Sequence, residues 1–123
     1  MLLDLSLGLI ETKQTKSSKM ITRIWHGRTT LHLAEKYLKF LLEKGTKEYL
    51  QTVGNLSVKV LQRKTADCCH FWTVSEWRDM ESIKAFAGEK VDTAKYSPED
   101  HHFLLEFEEK VIHCETYPVF MTD

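Results

Sequence analysis

NLSVKVLQRKTADCCHFWTVSEW (55–77) is the stretch whose reading decides the fold. Leu56, Val58 and Val60 alternate with Ser57, Lys59 and Arg63, the period of a half-buried strand. Thr65-Ala66-Asp67 is a short polar turn, and residues 68–77 are rich in aromatic and β-branched side chains. The stretch therefore reads as a hairpin. Upstream, MITRIWHGR (20–28) sets Ile21, Arg23 and Trp25 against Thr22, Ile24 and His26, which predicts another strand. Thr29 and Thr30 can cap a helix in which Leu33, Ala34, Tyr37, Leu38, Leu41 and Leu42 recur at i, i+3/i+4 spacing and which Gly45 ends. The segment 45–55 is a connection with one helical turn around residues 48–50. Downstream, Asp79 caps a second helix carrying Ile83, Phe86 and Ala87; Gly88 breaks it, and Val91 and Ala94 predict a further helical turn or two. YSPEDHH (96–102) is a loop, because Pro98 disfavours a helical Ser97. The last strand falls around residues 109–117. Strand, helix, strand, strand, helix, strand is the ferredoxin-like βαββαβ order of an α+β domain: an antiparallel sheet with both helices on one face.

Composition agrees with one domain. The chain has 123 residues, 42% hydrophobic and 28% charged, which excludes a disordered or low-complexity protein. Seventeen Lys+Arg against eighteen Asp+Glu give a net charge of −1, so no basic excess points to nucleic acid or an anionic membrane. The apolar run MLLDLSLGLI (1–10) is too short to span a bilayer and lacks the positive flank of a secretory signal. Residues 1–19 read as a flexible lead-in or the result of an upstream start, 20–118 as the domain and 119–123 as a tail. A cytoplasmic location is expected. Cys68, Cys69 and Cys114 read as small buried hydrophobes; the first two are adjacent and would face opposite sides of a strand, so they cannot jointly bind a metal.

Two helices cover one face of a four-stranded sheet. The other face should be polar, yet large apolar groups occupy both parities: Trp72 and Val74 against Phe71 and Trp77, Ile21 and Trp25 against Ile24. A patch of that kind is seldom left in water. A homodimer joined through the sheets is expected.

RIWHGR (23–28), WRDMESIKAFAGE (77–89) and YSPEDHHFLLEFEEKVIHCE (96–115), in that order, resemble the antibiotic biosynthesis monooxygenase-like family of the dimeric α+β barrel superfamily. The resemblance implies two ferredoxin-like subunits joined through their sheets, agreeing with the burial argument. It also implies a range of activities, from cofactor-free oxygenation of aromatic compounds to haem degradation. The haem-degrading branch carries an Asn late in the first strand and a proximal His on the second helix. Here the first strand ends His26-Gly27-Arg28 and residues 83–89 contain no His, so haem degradation is disfavoured.

Three histidines fall on three predicted strands: His26, His70 and His113. In the order 4-1-3-2 those strands are neighbours, so the imidazoles can meet near one end of the sheet. They then supply a general base or a metal site; otherwise they are three unrelated, half-buried histidines. No H-x-H or H-E-x-x-H spacing supports a metal. His26 and His113 are the candidate bases, with Arg28 available to stabilise an oxyanion. Trp25, Trp72, Trp77, Phe86 and Tyr96, with His70, are candidates to hold a flat ligand, although core packing would use the same aromatics. His101, His102 and EFEEK (106–110) read as solvated. No nucleotide fingerprint, P-loop or nucleophile elbow occurs, so no cofactor is expected. Two functions follow: a cofactor-independent monooxygenase of phenol- or quinone-type compounds, or a non-catalytic dimeric ligand-binding or stress-related domain.

Overall fold

A computed structural model describes residues 19–120. Residues 1–18 of the 1–19 lead-in and the last three residues of the tail lie outside the described residues. β1 (Ile21–Thr29), β2 (Asn55–Lys64), β3 (Cys69–Trp77) and β4 (Ile112–Glu115) form one antiparallel sheet in the order β2-β3-β1-β4. α1 (Ala34–Phe40) continues into a π-helical turn, Leu41–Gly45, and is followed by the short α2 (Lys47–Gln51). α3 (Met80–Ala87) follows β3. This is the expected ferredoxin-like α+β architecture.

The two central strands fix which side chains face the helices. In β1 the buried set is Ile21, Arg23, Trp25, Gly27 and Thr29; in β3 it is Cys69, Phe71, Thr73, Ser75 and Trp77. The β1–β3 register pairs Trp25 with Thr73 and His26 with Trp72, so His26, Trp72, Ile24 and Val74 share the opposite, open face. Two apolar clusters fill the helix side. One holds Trp25, Tyr37, Leu41, Phe71 and Val111, and the other Ile21, Trp77, Ile83 and Phe86.

Asp79 caps α3 through its carboxylate, which accepts from the Ser82 amide at 2.9 Å. Gly88 ends the helix at φ 94°. Three local expectations change. Thr30 precedes the first helical turn without a side-chain cap. Val91 and Ala94 continue no helix: Ala94 donates to the Glu109 carbonyl and Val111 to that of Asp92, so the segment hydrogen-bonds across to residues 109–111 instead. Pro98–His102 is a 3₁₀ turn rather than an irregular loop, closed by a capping box between Ser97 and Asp100. β4 is also short. It pairs only with residues 21–24, because further along β1 the segment 104–105 takes the free edge through the Leu105 amide and the Arg28 carbonyl. None of the helices among the described residues is long and apolar enough to cross a membrane.

Candidate functional site

Between the helices and the sheet lies a cleft of about 220 Å³. Trp25, Tyr37, Tyr49, Phe86 and Tyr96 give it aromatic walls, and Lys44, Glu48, Lys95, Glu99 and Asp100 its charged groups. Trp25 reaches the cleft because residue 27 is glycine. A Cβ there would sit 2.5 Å from two atoms of the indole, so the ring can fold along β1 only over a glycine.

The phenols are held in place. The Trp25 indole N–H donates to the Tyr96 hydroxyl at 3.1 Å, and Tyr96 donates to the Glu108 carbonyl at 2.7 Å. Tyr37 donates to the buried Asp100 carboxylate at 2.9 Å, and the Tyr49 hydroxyl lies 3.0 Å from that of Thr73. Burial pushes the pKa of all three tyrosines up, so they remain protonated hydrogen-bonding groups. Lys95, which lines the cleft, is anchored by Glu48 at 2.6 Å and by the Phe86 carbonyl at 2.8 Å, with its ammonium 4.7 Å from the Phe86 ring centre.

The cleft takes in Trp25, Phe86 and Tyr96 of the expected ligand-binding set. Trp77 is fully buried behind Phe86 in the second cluster, and Trp72 stands on the open face. No histidine lines the cleft. His26 and His70 do meet, at 2.9 Å between His26 Nε2 and His70 Nδ1, but on the open face beside Trp72. His113 does not join them. It pairs with Arg23, an odd number of residues from His26, and so points to the helix side.

There His113 works with Arg23. The Arg23 guanidinium is buried and donates to the carbonyls of Val91 at 2.7 Å and Thr93 at 3.2 Å. It also contacts His113 Nε2 at 3.0 Å, while His113 Nδ1 lies 2.9 Å from Asp92. Desolvation holds the imidazole below its usual pKa. In the neutral form it accepts from Arg23 at Nε2 and donates to Asp92 from Nδ1. The pair fastens the 91–93 loop to the sheet. Among the described residues Arg23 Nε has no hydrogen-bond partner.

Arg28 is on the open face as well. It makes a two-pronged pair with Glu106, Nε to Oε2 at 2.9 Å and Nη2 to Oε1 at 2.5 Å. That contact raises the guanidinium pKa and lowers the carboxyl pKa. Glu108 takes His26 Nδ1 at 2.6 Å. The acidic run 106–110 is therefore only partly solvated: two of its carboxylates bind β1 side chains. Alternation hid this, because the partners of Glu106 and Glu108 lie about eighty positions away. Among the described residues no group of three or more His, Cys, Asp or Glu is arranged to hold a metal ion.

No protein family and no curated protein matches the chain by sequence. Solved structures do match it by shape. One is a proposed antibiotic biosynthesis monooxygenase of Bacillus cereus, at TM-score 0.52 and 14% identity, covering 85% of this chain and 98% of that one. Another is a monooxygenase from the gene ActVA-Orf6 of Streptomyces coelicolor in complex with the ligand Nanaomycin D. It matches at TM-score 0.54 and 9% identity over 86% of this chain and 94% of that one. The chain thus has the fold of these proteins, as the sequence resemblance implied.

Proposed function

We propose that the chain is a small cofactor-independent monooxygenase of the antibiotic biosynthesis kind, and that its cleft accepts a flat phenolic or quinone-type ring. The observation that carries this reading is the hydrogen-bonded wall Trp25–Tyr96–Glu108 beside Phe86, in a cleft between helices and sheet. The structural neighbour from Streptomyces coelicolor, a monooxygenase in complex with Nanaomycin D, supports a small-molecule ligand. In the simplest balanced case a phenol and O₂ give a quinone and water. The substrate anion reduces the oxygen, and the protein supplies deprotonation and charge stabilisation. Glu48 is placed to take the proton and Lys95 to neutralise the phenolate, while the tyrosine hydroxyls orient the ring. His26, His113 and Arg28, the bases and oxyanion partner expected from sequence, have no part in this scheme because none lines the cleft.

A second reading, a ligand-binding domain without chemistry, is favoured by one observation: Tyr37, Tyr49 and Tyr96 are already satisfied by protein partners. Oxygen uptake with a panel of phenols and hydroquinones separates the two. Uptake lost in Lys95→Met supports the oxygenase; ligand-induced fluorescence quenching without uptake supports the binding domain. We further infer a homodimer through the open face, where Leu61 (46% exposed) and Ile112 (60% exposed) flank Ile24, Trp72 and Val74. A monomeric mass by sedimentation at micromolar concentration would refute it.

A further inference from the structure

One cluster outside the cleft forms a continuous relay at the end of the open face. Glu108 Oε2 lies 2.6 Å from His26 Nδ1, His26 Nε2 lies 2.9 Å from His70 Nδ1, and His70 Nε2 lies 3.6 Å from Cys68 Sγ. With both imidazoles neutral, only one proton assignment makes all three contacts. The carboxylate only accepts, so His26 donates from Nδ1 and must accept at Nε2. His70 then donates from Nδ1 and presents the lone pair of Nε2 to the thiol. A base facing a thiol, itself oriented by further groups, is the arrangement that activates a cysteine nucleophile. Arg28 adds a cation: its Nη1 donates to the same sulfur at 3.7 Å, while Glu106 holds the rest of the guanidinium.

We propose that Cys68 is a hydroperoxide-reactive thiol, with His70 as its base and His26 and Glu108 as positioning residues. Burial decides the reagent class, for Cys68 is only 5% exposed and a bulky electrophile cannot approach its sulfur. The Arg28 side chain that contacts it and the Glu106 side chain that holds Arg28 are 38% and 37% exposed, so water-sized molecules reach this end of the sheet. The thiol proton passes to His70 Nε2, and the thiolate attacks one peroxide oxygen. The O–O bond breaks, and the leaving oxygen takes the proton back from His70. Sulfur is oxidised by two electrons to the sulfenic acid, and hydrogen peroxide is reduced to water. Cys69 cannot resolve this product, because it pairs with Thr29 and faces the helix side; Cys114 pairs with Thr22 at the far end of β1. The thiol is therefore regenerated by two equivalents of an external thiol, which leave as a disulfide.

The protein carries its own controls. Cys114 is exposed without this relay, and Cys69 is buried without it. The protein, at a concentration too dilute for the inferred dimer to cover Cys114, is treated with hydrogen peroxide at pH 7, the sulfenic acid is trapped, and each cysteine is quantified by mass spectrometry. Cys68 is expected to react at least tenfold faster than Cys114 although it is the more buried, and His70→Gln should bring it down to or below the Cys114 rate. Iodoacetamide, a larger reagent, should reverse the order and label Cys114 first. Cys68 reacting with peroxide no faster than Cys114 in the unaltered protein overturns the proposal, whether or not His70→Gln folds. An unchanged Cys68 rate in folded His70→Gln also overturns it.

Discussion

The two faces of this sheet use the same residue types in opposite ways. On the helix side Trp25 is buried over Gly27, and the polar groups beside it are neutral phenols, a capped carboxylate and a guanidinium held by carbonyls. On the open side Trp72 stacks on His70 and lies tilted against His26, and the polar contacts, Arg28–Glu106 and His26–Glu108, are partly exposed to solvent. Strand alternation alone separates these environments, since His26 and Trp25 are consecutive. Side chains on the first face pack the subunit core and line the cleft; those on the second carry the proposed association and the proposed thiol chemistry.

The most direct way to break this contrast is to truncate one tryptophan on each face. Trp25→Ala removes a buried ring from the larger cluster and the donor to Tyr96, with an expected loss of about 3–5 kcal/mol. Trp72→Ala should leave denaturant midpoints near those of the unaltered chain at protein concentrations too dilute for association. Its effect should instead appear in sedimentation, as loss of the dimer. Comparable destabilisation by both substitutions in dilute protein would mean that the open face is part of the subunit core.

A smaller effect is expected inside the cleft. Tyr37→Phe deletes the hydroxyl that donates to Asp100, leaving that buried carboxylate with its contacts to Ser97. Urea denaturation should report a loss of about 1–3 kcal/mol. No loss would show that water replaces the hydroxyl and that the cleft is wetter than its aromatic walls suggest.

The strand order was legible in the sequence, and so was the division of the central strands into a Trp25 set and a Phe71–Trp77 set opposed to Ile24 and to Trp72–Val74. Which set the helices bury was not, because both parities carry large apolar groups. Nor was the placement of His113. Both β1 and β4 carry apolar residues on both parities, and only the register Arg23↔His113 decides which face the imidazole takes. Val91 and Ala94 misled for a related reason: a three-residue spacing imitates a helical face, whereas the backbone bonds run across to residues 109–111. The open-face contacts of Arg28 with Glu106 and of His26 with Glu108 join β1 to an acidic run distant in sequence, so charge patterning read that run as solvated. Of the thiol relay, the approach of His26 to His70 was legible from the strand order, whereas Glu108 and Cys68 were not, being contributed by the 104–110 segment and the residue before β3.

His113 offers a subtler test on the helix side. Its pKa is depressed in the fold, chiefly by desolvation, below the unfolded value of about 6.5. The unfolded chain therefore binds this proton first. The stability that His113 contributes is complete above about pH 6.5 and is lost as pH falls through the folded pKa. His113→Gln, which keeps an acceptor near Arg23, should flatten the acid side of a melting-temperature profile between pH 7 and pH 5. An unchanged acid slope would assign that loss to other groups.

Glu106→Gln should have the smallest effect on stability, and for that reason it tests the division most sharply. The carboxylate and its Arg28 partner are more than a third exposed, so water and salt already screen the attraction, and the melting midpoint should not move measurably. What should change is salt dependence. The unaltered chain should lose any small contribution from this pair between low and high ionic strength, and the variant should show no such change. A clear drop in midpoint at low salt that persists in 0.5 M salt would mean that Arg28 and Glu106 are shielded from solvent. Burial of that end of the sheet by a second copy would have this effect, and the dimer seam would then extend beyond the apolar patch to the relay itself.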